Sequence, residues 1–203
     1  MKPNVPDFPL SKARHVNGSR HLAREKALQI LCACENSGIR WQDVFQHIIF
    51  REFEFGDDAP DENRLLTPDE IAEMEADTTI RWDMEDVEFI RELIEATNQH
   101  AGFSEGLIER FSQNWDSERI TLLDSILLRM TIAELISFPE IPPKVSINVA
   151  LDLAKRFSTD NSPAFINGML DGIYTELQEQ NLIQKTGRGL VDKWVFKSLS
   201  RKS

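Results

Sequence analysis

Two arginines at the start of a predicted helix could bind phosphate groups. Arg20 and Arg24 lie four residues apart and therefore share one face of that helix. They follow an N-terminal arm that contains Lys12 and Arg14. Cationic groups in this arrangement would suit single-stranded RNA, with an aromatic ring such as Phe165 stacking on a base. The same pattern is also typical of a solvated basic face, and the spacing of Phe165 is more typical of a core residue.

Charge is unevenly distributed along the 203 residues, whose formal net charge is −11. The first 26 residues carry six lysines or arginines against two acids, and residues 184–203 carry six against one. Residues 52–88 hold fifteen acids against two arginines. Because the local field rather than the total charge steers an encounter, both basic ends remain candidates for binding an anionic partner. Lys144, Lys155 and Arg156 add positive charge around a proline-rich corner.

No set of residues in the sequence has the spacing of a catalytic or metal site. The sequence contains no glycine-rich phosphate loop and no Ser/His/Asp constellation, and its four histidines are scattered. The acids of residues 52–88 lack the ordered ligand spacing of a calcium loop. Cys32 and Cys34 point to different faces of one helix, which favours neither a disulfide nor a metal site. We therefore expect a protein that is not an enzyme and has no cofactor or metal.

The hydropathy pattern indicates a protein that does not enter membranes. No apolar run approaches the roughly 20 residues that a membrane-spanning helix needs. The N-terminal residues lack the apolar core of a signal peptide. We therefore expect a cytoplasmic location and no membrane partner.

Helical periodicity dominates the chain and predicts an all-α bundle of about seven helices. Ser19 is the expected N-cap of the first helix and Gly38 its end, and Arg20, Arg24 and Glu25 fall off its apolar stripe, toward solvent. No segment shows the alternation of a strand. The most apolar helix, and the expected centre of the core, covers residues 120–137. The other predicted helices cover residues 20–36, 41–53, 83–100, 105–115 and 145–157 and a segment that begins with Ser162 as N-cap and Pro163.

Four sequence motifs resemble those of the NusB family of transcription antitermination factors. They are DSILLRM at 124–130, PPKVSIN at 142–148, LAKRF at 153–157 and FINGMLDG at 165–172. The first helix, residues 19–38, also resembles the N-terminal helix of that family. The resemblance implies a NusB-like fold of two packed helical subdomains, at about 19–103 and 104–183. A flexible basic arm at 1–18 and a basic tail at 184–203 would flank this 19–183 domain, and an acidic insertion at about 54–80 would lie within its N-terminal subdomain.

The resemblance also implies a function and a set of site residues. Such proteins bind the boxA element of nascent ribosomal-RNA transcripts together with the ribosomal protein NusE, and act on the transcribing RNA polymerase complex. By position, Arg20 and Arg24 match the arginine-rich start of the family's first helix. Asn161, Ser162 and Phe165 match the part that meets RNA, and Asp124 matches an acidic position on the NusE-facing side.

Two alternatives of other classes remain open from the sequence. A similar helical fold precedes the catalytic domain of ribosomal-RNA cytosine methyltransferases, so the chain could be an accessory RNA-binding domain. The basic ends could also belong to a protein-interaction scaffold that binds acidic partners.

Overall fold

The fold begins with a short parallel strand pair that leads into a bundle of helices. A computed structural model describes residues 16–50, 80–113 and 120–190. Within these ranges the strands are β1 (Val16–Asn17) and β2 (Ile80–Arg81). The helices are α1 (Arg20–Ser37), α2 (Trp41–Phe50), α3 (Met84–Gln99), α4 (Ala101–Ser112), α5 (Leu122–Ser137), α6 (Pro143–Phe157) and α7 (Ser162–Glu179), with a 3-10 turn at Gly187–Leu190. The predicted all-α class is confirmed.

The two strands were not predicted, because two residues are too few to show the alternation of a strand. Val16 pairs with Ile80 and Asn17 with Arg81, and the Gly18 amide donates to the Arg81 carbonyl at 2.7 Å. A Cβ atom at Gly18 would lie only 2.7 Å from the Trp82 ring. Residues 16–18 were predicted to belong to a free arm. In the structure they are held against the start of α3.

Helix α5 forms the centre of the bundle, as predicted. Ten of its sixteen residues are buried, and it packs against α1, α3, α4, α6 and α7. A helix that is apolar on every side is stable only when neighbours cover every side. Three of the buried residues, Asp124, Thr131 and Glu134, are nevertheless polar. Two of these, Asp124 and Glu134, bind side chains of other helices, as described below.

Several predicted helix ends are displaced in the structure. The helix predicted at residues 105–115 begins at Ala101. Only His100 separates it from the preceding helix, and Gly102 lies inside it. The helix predicted at 145–157 begins at Pro143, because the first turn of a helix needs no donor from proline. Ser162 is the first residue of α7 rather than its N-cap, which is Asn161.

The chain after α7 folds back over the connection between α5 and α6. Asn181 adopts a positive φ of 55°, which reverses the chain direction. The Lys185 ammonium then donates to the Phe138 carbonyl at 2.8 Å, and the Thr186 amide donates to the Pro139 carbonyl at 2.9 Å. The beginning of the predicted basic tail is therefore part of the fold. The rest of that tail, most of the acidic 54–80 insertion and Lys12 and Arg14 lie outside the described residues.

No helix in the described part of the chain is both long and apolar enough to cross a membrane.

Candidate functional site

Arg20 is an exposed cation held in a defined position at the first turn of α1. Its side chain is 48% exposed, and its Nε lies 3.4 Å from Oδ1 of Asp86 in α3. Its guanidinium also lies 4.5 Å from the centroid of the Phe89 ring. Burial raises the pKa of Asp86, and the carboxylate of Asp83 adds to that effect while Arg20 opposes it. An exposed arginine fixed by a carboxylate and a ring can bind an external anion with little loss of side-chain entropy.

Arg24 is buried, so the predicted solvent-facing position is wrong. It is only 3% exposed, and its Nε and Nη2 donate to the two carboxylate oxygens of Glu134, both at 2.7 Å. Its Nη1 donates to the Arg20 carbonyl at 2.7 Å, and its guanidinium lies 4.9 Å from the Phe89 ring centroid. The Ser146 hydroxyl donates to the same Glu134 carboxylate at 2.6 Å. Arg24 therefore connects α1 to α5 and, through Glu134, to α6.

The segment from Ser158 to Ser162, which we call the corner, connects α6 to α7. The Ser158 hydroxyl donates to Oδ1 of Asp124 at 2.7 Å, and the Ser162 hydroxyl donates to Oδ2 at 2.8 Å. The Thr159 hydroxyl oxygen lies 2.8 Å from that of Ser162. Asp124 is 4% exposed and Ser162 is 2% exposed. The corner is therefore fixed from inside the protein by one carboxylate of α5.

Asp124 and Ser162, two of the predicted site residues, are buried. Asp124 does not lie on an exposed surface, and its effect on NusE association stays a prediction. The Ser162 hydroxyl donates to Asp124 inside the protein, and its contact with RNA also stays a prediction. Both residues act on the corner from within.

Asn161, in the corner, and Phe165, in the first turn of α7, are both at least partly exposed. Asn161 is exposed, and its side chain makes no capping hydrogen bond to α7. Phe165 is half-buried and packs against the core. The Phe165 amide donates to the Asn161 carbonyl at 3.1 Å, so the two residues lie one helical turn apart. Asn161 offers an amide group and Phe165 offers part of a ring to a ligand.

A salt bridge joins the last turn of α6, next to the corner, to α1. Arg156, in the last turn of α6, donates to Oε2 of Glu25 at 2.6 Å. The Glu25 side chain is 7% exposed and that of Arg156 is 61% exposed. The prediction that Glu25 faces solvent is therefore wrong. The Arg156 guanidinium also lies 4.8 Å from the ring centroid of Phe157. The bridge places a second exposed cation beside the corner and connects that end of α6 to the first half of α1.

The sequence did not identify the residues that hold these groups. The guanidinium groups of Arg20 and Arg24 both lie over the Phe89 ring, and no sequence motif pointed to that role for Phe89. Glu25 was expected to face solvent, and Ser158 and Thr159 are ordinary turn residues. The one available signal was the cluster of hydroxyl and amide side chains between α6 and α7. It predicted a turn, but it did not predict that the Asp124 carboxylate of α5 binds the serines of that turn.

The described residues offer no constellation for metal chemistry. No group of three or more His, Cys, Asp or Glu side chains within residues 16–50, 80–113 and 120–190 is placed to hold a metal ion. Cys32 and Cys34 are free and half-buried. Burial raises the pKa of both thiols, which disfavours the reactive thiolate.

The chain is similar in sequence to proteins named transcription antitermination protein NusB. It is 40% identical over 110 residues to the transcription antitermination protein NusB of Chloroherpeton thalassium, covering 54% of this chain and 52% of that protein. It is 41% identical over 104 residues to the protein of the same name from Salinibacter ruber, covering 51% of this chain and 65% of that protein. The matches thus span about half to two thirds of the length of these two relatives.

Comparison with solved structures confirms the fold. NusB from T. maritima superimposes with a TM-score of 0.59 at 24% identity, covering 79% of this chain and 94% of that one. NusB from Aquifex aeolicus superimposes with a TM-score of 0.55 at 17% identity, covering 85% of this chain and 98% of that one. The sequence model of the NusB family matches residues 21–175, which include most of α1 and α7 and all the described helices between them. The chain therefore belongs to the NusB family.

Proposed function

We propose that this protein is a non-enzymatic transcription antitermination factor that binds boxA-type RNA of nascent ribosomal-RNA transcripts together with the ribosomal protein NusE. The observation that carries the proposal is the family match over residues 21–175, which includes the corner and all of α1 except its first residue, Arg20. The complex would act on RNA polymerase during transcription. No step of this function requires catalysis by the chain itself.

The exposed groups of the site divide into phosphate and base contacts. Arg20 and Arg156 are cations whose guanidinium groups are partly exposed and already oriented by carboxylates, and they would hold backbone phosphates. The amide of Asn161 would hydrogen-bond to a base edge, and the exposed part of Phe165 would stack on a base. The basic arm at 1–18 would add further phosphate contacts.

Arg24 and Ser162 take indirect parts in this proposal. Both are buried, and both bind carboxylates of α5. Arg24 would position the start of α1, and with it Arg20, whose carbonyl it binds. Ser162 would position the first turn of α7, which carries Phe165.

Binding of a boxA-type RNA oligonucleotide tests the RNA part of the proposal. Affinity is measured by fluorescence anisotropy at several salt concentrations, with and without NusE. We expect Arg20→Ala to weaken binding and to lower the logarithmic salt slope by about 0.7, the value for one phosphate contact on a single strand. Arg40→Ala is the matched control, because Arg40 is also an exposed arginine paired with a carboxylate, Asp43, but lies beyond the opposite end of α1.

The same titration can refute the proposal. If the wild-type protein with NusE binds boxA-type RNA no more tightly than a scrambled oligonucleotide of equal composition, the proposed function is wrong. If Arg20→Ala and Arg40→Ala change the salt slope equally, the phosphate contact assigned to Arg20 is wrong. If NusE leaves the RNA affinity unchanged, the composite surface with NusE is wrong.

A further inference from the structure

We propose that Asp124 is the positioning residue that holds the corner in the conformation that presents Asn161 and Phe165 to RNA. This inference rests on the proposed RNA-binding function and adds a residue that does not itself touch RNA.

Asp124 is the point at which both ends of the corner are held. The two ends are Ser158, which follows the last residue of α6, and Ser162, which is the first residue of α7. An ionised carboxylate only accepts hydrogen bonds, so each serine hydroxyl directs its single proton to Asp124. The two serine oxygens lie 2.8 Å apart because one carboxylate holds both. The end of α6 and the start of α7 are thereby fixed relative to each other.

The carboxylate is itself fixed by the most buried helix. The Asp124 amide donates to the Thr121 hydroxyl at 3.1 Å, which caps the N-terminus of α5. A negative charge in the first turn of a helix is also favoured by the partial positive charge of the free amide groups there. Because α5 packs against five other helices, Asp124 transfers the rigidity of the core to the corner.

The start of α7 lacks the usual side-chain cap. Its N-cap residue, Asn161, has helical backbone angles (φ −85°, ψ −19°) and makes no side-chain capping bond. A capping side chain usually fixes where a helix begins. Here the bond from Ser162 to Asp124 performs that task, which leaves the Asn161 amide group to a ligand. Phe165 lies three residues after Ser162 on the same helical face, so a shift of Ser162 would move the ring.

Two measurements test the inference with the full-length protein. Asp124→Asn keeps the shape of the side chain but turns one acceptor into a donor, so one of the two serines can no longer donate to it and must reorient its hydroxyl to accept. Ser162→Ala removes one bond from the other side. Ser146→Ala is the matched control, because it removes a hydroxyl bond to a different buried carboxylate of α5, Glu134. The first measurement is hydrogen exchange of the Ser162 and Phe165 backbone amides in the free protein; in Ser162→Ala, only the Phe165 amide is compared. The second measurement is the affinity for boxA-type RNA in the presence of NusE.

We expect both corner variants to speed amide exchange and to weaken RNA binding by about fivefold, as when the competent population falls to about one fifth. The salt slope should stay unchanged, since no phosphate contact is lost. The fivefold effect should shrink in a Phe165→Ala background and disappear in an Asn161→Ala/Phe165→Ala background, because a positioning residue has no effect once both positioned groups are gone. The Ser146→Ala control should leave both the exchange and the RNA affinity near wild type.

Other results would overturn the inference in distinguishable ways. If exchange quickens but RNA affinity stays at the wild-type value, the corner does not depend on Asp124 for RNA binding, and the proposed function stands without it. If Asp124→Asn weakens binding equally in the wild-type and Asn161→Ala/Phe165→Ala backgrounds, Asp124 has only a general structural role. If the wild-type protein does not bind boxA-type RNA, both the function and this inference fail, whereas the exchange rates still report what Asp124 holds.

Discussion

Replacing Arg24 with methionine removes one partner of a buried ion pair and leaves the other without compensation. Arg24 and Glu134 are 3% and 2% exposed, and they are joined by two hydrogen bonds of 2.7 Å. Breaking such a pair by removing one partner costs about 3–5 kcal/mol, because the remaining charge stays buried. In a domain of this size, each kcal/mol lowers Tm by about 2–4 °C. We therefore expect Arg24→Met to lower Tm by about 6–20 °C.

Thermal unfolding followed by circular dichroism at 222 nm measures this loss. Arg20→Met is the control, because Arg20 lies one turn away, makes a longer 3.4 Å pair with Asp86 and is 48% exposed. An exposed pair of this kind contributes about 0–1 kcal/mol, so the control should lose no more than about 4 °C. Removing all three polar groups in Arg24→Met/Glu134→Leu/Ser146→Ala should restore much of the stability, since no buried charge remains.

A Tm for Arg24→Met within about 2 °C of wild type would refute this account of the pair, because that shift corresponds to no more than about 1 kcal/mol. Equal losses for Arg24→Met and Arg20→Met would also refute it. The same variant separates the two possible roles of Arg24 in RNA binding. At a temperature where the variant is fully folded, an unchanged salt slope indicates that Arg24 acts through the fold and makes no phosphate contact of its own.

Three further perturbations test other parts of the structure. Burial lowers the pKa of Lys185 from 10.5 to about 8. Between these two pH values the unfolded chain binds more protons than the folded protein. The free energy of unfolding of wild type, measured relative to Lys185→Met in urea titrations, should therefore rise from pH 8 to about 10.5. A difference that does not change with pH would contradict the burial of this ammonium. Gly172→Ala should cost about 1–3 kcal/mol in the same assay, because its Cβ would lie 2.6 Å from the Phe111 ring, whereas Gly106→Ala, which has open space, should be near neutral or stabilising. Gly38→Ala should lower Tm because φ is +69° at this helix end, and Gly38→Asn should lower it less, since asparagine tolerates that region better; equal losses for the two would argue against backbone strain as the cause.

The positions of most helices follow from local sequence. Ser19 accepts from the Leu22 amide at 3.2 Å, and Gly38 adopts the left-handed conformation that ends α1, both as predicted. Such caps depend on residues within one helical turn of each other, so the local sequence predicts them. The two predicted starts that moved, to Ala101 and Pro143, lie in first helical turns that contain Gly102 and Pro143, residues that have low helix propensity in general but that a first turn tolerates.

The environments of the site residues did not follow from the sequence. Arg20 and Arg24 share one helical face and were expected to share one environment. Helical periodicity gives the direction of a side chain around the axis, but it does not tell how far along the axis a neighbouring helix covers that face. Here Glu134 of α5, 110 residues away from Arg24, meets the second arginine, while the first remains beside the start of α3.

The sequence by itself thus determined the helices, the all-α class and the family, because caps, apolar stripes and motifs are encoded over short stretches of chain. The tertiary structure alone decided which polar groups are at the surface. Asp124 becomes buried because Ser158 and Ser162, 34 and 38 residues later, supply the hydrogen bonds that offset the loss of water. Long-range pairing of this kind is fixed only when the helices pack, and it separates the groups that could touch RNA from those that hold them in place.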